Sequence, residues 1–137
     1  MVAIDTSSLV AYLAGSPGPD VDAIDLALRD SQACLPPVVL TELLSDPKLP
    51  GNVAAVLREL PVLGILEGYW DRAGQLRSKV IASKRRARLA DSLIAQTCLD
   101  HDLALITRDA DFRAFAAIGG LKLLSRPSRM GKPSSGN

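Results

Sequence analysis

Residues 88 to 112, RLADSLIAQTCLDHDLALITRDADF, set two acidic points at one height, and this constrains the fold more than any other stretch of the chain. Leu89, Ala90, Leu93, Ile94, Thr97 and Cys98 recur at spacings of three and four, which lays an apolar stripe along one face of a helix. Asp91 falls inside that stripe, beside Ile94 and Ala95. A carboxylate there is costly to bury unless a cation or a set of donors meets it. From Asp91 to Asp100 the helix descends roughly 14 Å at 1.5 Å per residue. Leu103 to Thr107, if extended, climbs back about 13 to 16 Å at roughly 3.3 Å per residue. The helix start and the strand end are therefore level, and Asp91 shares one edge of the domain with Thr107, Asp109 and Asp111.

The rest of the chain repeats this alternation. Met1 to Ile4 is a short apolar run of the kind found in strands buried on both faces, and it stops at Asp5. Thr6, Ser7 and Ser8 are good capping residues for the helix LVAYLA, which Gly15, Pro17 and Gly18 close. Val21, Ile24, Ala27 and Leu28 mark a second helix over 20–30. Ala33 to Leu35 reads as a brief strand. Pro36 and Pro37 then suit the first turn of a helix that contains Glu42. A helix over 53–60, a strand over 62–66 and a long helix through Tyr69, Ala73, Leu76, Val80 and Ile81 follow. After the central stretch, 109–119 reads as a short helix and 121–124 as a last strand. Residues 126–137, rich in Ser, Pro, Gly and basic side chains, read as a flexible tail, leaving 1–125 as one domain. Strands alternating with helices imply a parallel sheet with helices on both faces, an α/β/α sandwich.

Composition fits one globular domain and excludes several other classes. The 137 residues are 47% hydrophobic, enough for a single core. With 16 basic and 15 acidic side chains the net charge is +1, so any attraction to nucleic acid must be local. Cys34 and Cys98 lie in apolar contexts without metal-ligand spacing, as buried thiols of a reducing compartment do. No segment reaches about 18 uninterrupted apolar residues, and MVAID is neither a basic leader nor an apolar one. The expected compartment is the cytoplasm, with no membrane partner.

This topology gathers the acids. Asp5 and the 107–111 cluster follow the carboxyl ends of strands, Glu42 lies shortly after another strand, and Asp91 begins a helix that returns toward the sheet. In open parallel sheets ligands bind at that edge. Carboxylates converging there raise one another's pKa, and a divalent cation resolves the repulsion. Oxygen donors with no histidine or thiol among them suit Mg²⁺ or Mn²⁺.

The motifs D-T-S at 5–7, the helical glutamate of VLTELL, D-S-L-I-A from Asp91 and T-R-D-A-D-F from Thr107 resemble those of PIN-domain ribonucleases, nearest the compact VapC-type toxins of toxin–antitoxin pairs. The resemblance covers the chain to about residue 125. It implies a central five-stranded parallel sheet, a homodimer, Mg²⁺ or Mn²⁺, an RNA substrate and a cognate antitoxin protein. By the same resemblance Asp5, Glu42, Asp91 and Asp109 match the catalytic acidic quartet, with Asp111 supplementing or replacing Asp109. Asp5 and Asp91 become the principal metal ligands and Asp109 a direct or water-mediated one. Glu42 holds a second metal or orients the water. Thr6 and Thr107 match the small hydroxyl positions near the substrate. The basic run Lys84 to Arg88 is either a solvated helix end favoured by the helix dipole or, through Arg85 and Arg88, a contact to the RNA backbone.

Other readings compete with this one. A single Asp near a helix start is commonly a cap or a partner of the macrodipole, so the acids could belong to a non-catalytic PIN-like binding or regulatory module. A receiver-like phosphoacceptor domain also has acids at strand ends, but it wants adjacent acids after the first strand, where this chain has Asp5 followed by Thr6. His101, the single histidine, is expected at the opposite end of the domain, and Tyr69 and Trp70 in the core or at a dimer contact. Leu9, Leu13, Leu43 and Leu44 serve the core or a partner's helix.

Overall fold

The computed structural model describes residues 1–124. The expected tail, 126–137, lies outside the described residues. Three strands, β1 (Val2–Ile4), β2 (Ala33–Cys34) and β3 (Leu105–Ile106), form a parallel sheet in the order β2-β1-β3. Seven helices surround it among the described residues: α1 (Thr6–Leu13), α2 (Pro19–Arg29), α3 (Pro37–Leu44), α4 (Gly51–Glu59), α5 (Tyr69–Ala82), α6 (Leu89–Asp100) and α7 (Phe112–Gly119).

The expected five-stranded sheet is thus reduced to three strands, each edge extended by one parallel bridge. Leu35 bridges to Val62 on one side and Leu105 to Leu123 on the other. The physical reason is local. Pro61 supplies a carbonyl to Leu35 but has no amide of its own, Gly64 interrupts the first edge segment, and the second follows directly on Gly120, the left-handed C-cap of α7. Val62, Ile65 and Leu66 are 43–44% exposed, so little burial holds that edge in register.

The core explains the apolar runs. Ala3, Ile4, Leu105 and Ile106 on the two adjoining strands are fully buried, as are Ile24, Leu35, Val39, Phe112 and Phe115. Such fully buried side chains contribute roughly 1.5–3 kcal/mol each by area. α2 packs on β2 and β3, while α5, α6 and α7 pack on one another and α3 touches both α1 and α6. Tyr69 is buried and its hydroxyl donates to the Leu93 carbonyl at 2.7 Å, tying α5 to α6. Arg72 reinforces this junction with a paired contact to Asp100 at 2.9 and 2.6 Å.

One boundary differs in an informative way. The hydroxyl triplet at 6–8 was expected to cap a helix starting later, yet α1 begins at Thr6 with Asp5 at the N-cap position. The hydroxyls of Thr6 and Ser7 are thereby free to bond carboxylates instead.

Candidate functional site

The register of the sheet builds the site. β1 and β3 run parallel with Ile4 opposite Ile106, so the next residues, Asp5 and Thr107, emerge side by side at the carboxyl edge. The Asp5 amide donates to the Ile106 carbonyl at 2.9 Å, and the Thr107 hydroxyl donates to Asp5 Oδ2 at 2.8 Å. Ser7 Oγ donates to the same oxygen at 2.6 Å. Asp5 is almost wholly buried. Burial lifts its carboxyl above the usual carboxylate range, and the hydroxyls of Ser7 and Thr107 oppose that rise.

The turn between β3 and α7 is internally braced. The Asp109 amide donates to Thr107 Oγ1 at 3.0 Å, and the Asp111 amide to Asp109 Oδ1 at 2.9 Å. This curls the turn so that Asp109 and Asp111 face the start of α6, where Asp91 is the third residue. One carboxylate oxygen from each of Asp91, Asp109 and Asp111 lies within 4.8 Å of the others.

Asp91 carries the electrostatic load of this arrangement. It is 8% exposed, and its Oδ2 is buried without a hydrogen-bond partner among the described residues. Its carboxyl is pushed up to about 6, first by burial and then by the negative charges of Asp109, Asp5 and Asp111, against a weaker pull from Arg88. Asp5 stands outside the tightest group of three but acts on it through charge.

Glu42 lies in the later part of α3 and is exposed; Thr6 Oγ1 donates to its Oε1 at 2.6 Å. Since Thr6 follows Asp5 directly, that bond brings Glu42 to the rim of the acid pocket rather than into the group of three. Lys84, Arg85, Arg86 and Arg88 are exposed on the segment leading into α6, with Arg88 at its N-cap. Arg86 Nη1 reaches 3.6 Å from Asp111 Oδ2, so the basic run borders the acids. At the far end of α6, His101 sits at the C-cap with Nε2 2.8 Å from the Gly64 carbonyl. Trp70 is 66% exposed and meets Tyr69 edge-on.

Two features escaped the reading of residue patterns. Ser7 was taken only as a cap, although a hydroxyl two positions after an aspartate is a known local donor. The run Lys84 to Arg88 is expected to be either a solvated helix end or an RNA contact, and nothing in the spacing of Arg86 indicates that it leans toward Asp111.

The PIN domain family model matches residues 2–118, and the chain belongs to that family. No curated protein matches it. Among solved structures its fold is similar to VapBC2 from Rickettsia felis bound to a DNA fragment from their promoter, at 20% identity and a TM-score of 0.70, covering 90% of this chain and 97% of that one. It is similar also to FitAcB from Neisseria gonorrhoeae, at 23% identity and a TM-score of 0.65, covering 90% and 96%. VapBC-5 from Mycobacterium tuberculosis, a member of the VapBC family of toxin-antitoxin systems, aligns at 20% identity and a TM-score of 0.61, covering 89% and 95%.

Proposed function

We propose that this chain is a Mg²⁺- or Mn²⁺-dependent endoribonuclease and the toxin of a toxin–antitoxin pair. The observation that carries the reading is the grouping of one carboxylate oxygen each from Asp91, Asp109 and Asp111 within 4.8 Å, together with a buried Asp91 Oδ2 that has no hydrogen-bond partner among the described residues. An all-oxygen donor set with an orphaned buried oxygen and like-charge repulsion that Arg86 and Arg88 offset only in part fits a hard divalent cation. Asp91, Asp109 and Asp111 would hold it, with Asp5 alongside. When bound, the ion supplies charge neutralisation at the phosphate and a more acidic water for hydrolysis of the phosphodiester.

The chain's own residues do the remaining work. Thr107 and Ser7 hold Asp5 in one orientation, so its carboxylate does not swing toward its neighbours. Thr6 occupies Oε1 of Glu42 and leaves Oε2 outside that bond, available to orient a water or take its proton at the rim. Arg88, at the N-cap of α6, and Arg85, exposed on the same basic run, supply cationic contacts for the RNA backbone.

The toxin assignment draws support from the fold shared with the VapBC and FitAcB structures. A toxin of this kind is inhibited by a protein antitoxin and works as a homodimer in the cytoplasm. Exposed Val10, Leu13, Leu26 and Leu89 offer apolar surface for such partners. No helix of the described residues is long and apolar enough to cross a membrane. Incubation of the purified chain with RNA and Mn²⁺, with and without chelator, tests the activity. Cleavage only with the ion is expected, and RNA binding without cleavage under either condition points to the non-catalytic module instead.

A further inference from the structure

The turn that carries Thr107, Asp109 and Asp111 also carries Arg108, whose side chain leaves the acids and crosses to α2. Arg108 Nε donates to Asp20 Oδ2 at 2.7 Å, and Nη2 donates to Asp20 Oδ1 at 3.1 Å and to the Pro17 carbonyl at 3.2 Å. The Asp20 side chain is 5% exposed and that of Arg108 39%. Burial alone would raise the Asp20 carboxyl; the hydrogen bond and charge of Arg108, with Ser8 and the Val21 amide, together hold it below its ordinary range. A two-point contact between planar groups admits essentially one orientation, unlike a single ion contact.

The loop before α2 is shaped to this pair. Gly18 has φ +152°, and a Cβ there would lie 2.5 Å from Asp20 Oδ1 and 3.0 Å from Arg108 Nη2. Only glycine leaves room for the contact. The side-chain bonds from the Asp109 amide to Thr107 and from the Asp111 amide to Asp109 are internal to the turn. Thr107 is anchored through Asp5 at the strand end, backbone bonds lead from the turn into α7, and Arg86 meets Asp111 at 3.6 Å; Arg108 adds the two-point contact that ties the middle of the turn to α2.

The structure assigns Asp20 and Arg108 as a positioning pair. By fastening the β3–α7 turn to the start of α2, they fix where Asp109 and Asp111 stand relative to Asp91, and so set the affinity of the acid cluster for its cation. The consequence for the cation rests on the nuclease reading; the fastening of the turn does not.

Asp20→Asn, Arg108→Gln, Arg108→Lys and the double Asp20→Asn/Arg108→Gln chain separate the two. In the full-length protein, amide exchange at Asp109 and Asp111 should rise roughly tenfold or more in Asp20→Asn and Arg108→Gln, with Ala3 and Asp5 in the sheet unchanged. The Mn²⁺ concentration for half-maximal binding should rise with it, Arg108→Lys should recover part of the loss, and the double variant should be no worse than the poorer single. A uniform rise at Ala3 and Asp5 as well, or unchanged exchange at Asp109 and Asp111, overturns the assignment. So does a loosened turn that leaves Mn²⁺ binding unaltered. If the parent chain takes up no Mn²⁺, the nuclease reading fails on its own, and the exchange pattern still decides whether the pair fastens the turn.

Discussion

The Thr107 hydroxyl donates to Asp5 Oδ2 at 2.8 Å although the two residues are 102 positions apart. The bond exists because Ile4 and Ile106 are paired in register, and parallel strands deliver their next residues to the same edge. Asp5 is buried, so the Thr107 hydroxyl, with Ser7 and the amides of Thr6 and Ser7, offsets part of its desolvation cost. Thr107→Val keeps the shape and removes both the donor to Asp5 and the acceptor of the Asp109 amide. It should lower stability at neutral pH by about 1–2 kcal/mol and slow cleavage roughly ten- to a hundredfold by loosening Asp5. Thr107→Ser should restore most of both, as read by denaturant midpoints and single-turnover rates.

Asp91 should make the cation-free protein less stable as pH rises. Its carboxyl is pushed up to about 6 in the folded chain from an ordinary value of 3.8. Between those values the folded state holds more protons than the unfolded state, so stability falls as pH rises through the interval. The loss at neutral pH is up to about 3 kcal/mol. Asp91→Asn removes the titrating group. In chelator it should melt several degrees above the parent at pH 8 and close to it near pH 4, while being inactive in cleavage. Thermal melts across that range check the sign.

A divalent cation should recover the same stability by a different route. At a hundredfold excess over Kd it adds about 2.7 kcal/mol to a chain that binds it only when folded. The parent should gain this with Mn²⁺, and Asp91→Asn should not. Comparing Asp109→Asn with Asp111→Asn assigns the third donor, since both carboxylates sit in the cluster with Asp91. The variant with the smaller Mn²⁺-induced shift in melting temperature identifies the ligand.

Arg85 and Arg88 are exposed on the basic run that leads into α6, with Arg88 at the N-cap of the helix that carries Asp91. Their reversal to Glu should weaken RNA binding and flatten its salt dependence, each lost contact removing roughly 0.7 from the log–log slope for a single strand. Binding titrations at several salt concentrations read this directly. An unchanged slope returns the run to an ordinary solvated helix end.

Much of the arrangement was legible from residue order. The level heights of Asp91 and the 107–111 group follow from helix rise and strand rise alone, and the structure brings Asp91, Asp109 and Asp111 together as that geometry requires. The sheet was legible only in its centre. β1, β2 and β3 are buried and read as apolar runs, whereas the segments at 62–66 and 121–124 pair on one side only and reduce to single bridges. Side-chain contacts between distant elements were not legible at all. Periodicity shows which face is buried, not that Arg108 turns to Asp20 or that Glu42 meets Thr6. Such partners depend on where loops bring two elements, which propensity does not encode.

The central claim is that Asp91 and the 107–111 carboxylates hold a divalent cation. Titration of Mn²⁺ into the purified protein, with free Mn²⁺ read by electron paramagnetic resonance, measures this in the parent chain and in folded Asp91→Asn. Saturable uptake by the parent, weakened roughly tenfold or more in the variant, is the predicted result. Equal uptake by both, or none by the parent, contradicts it.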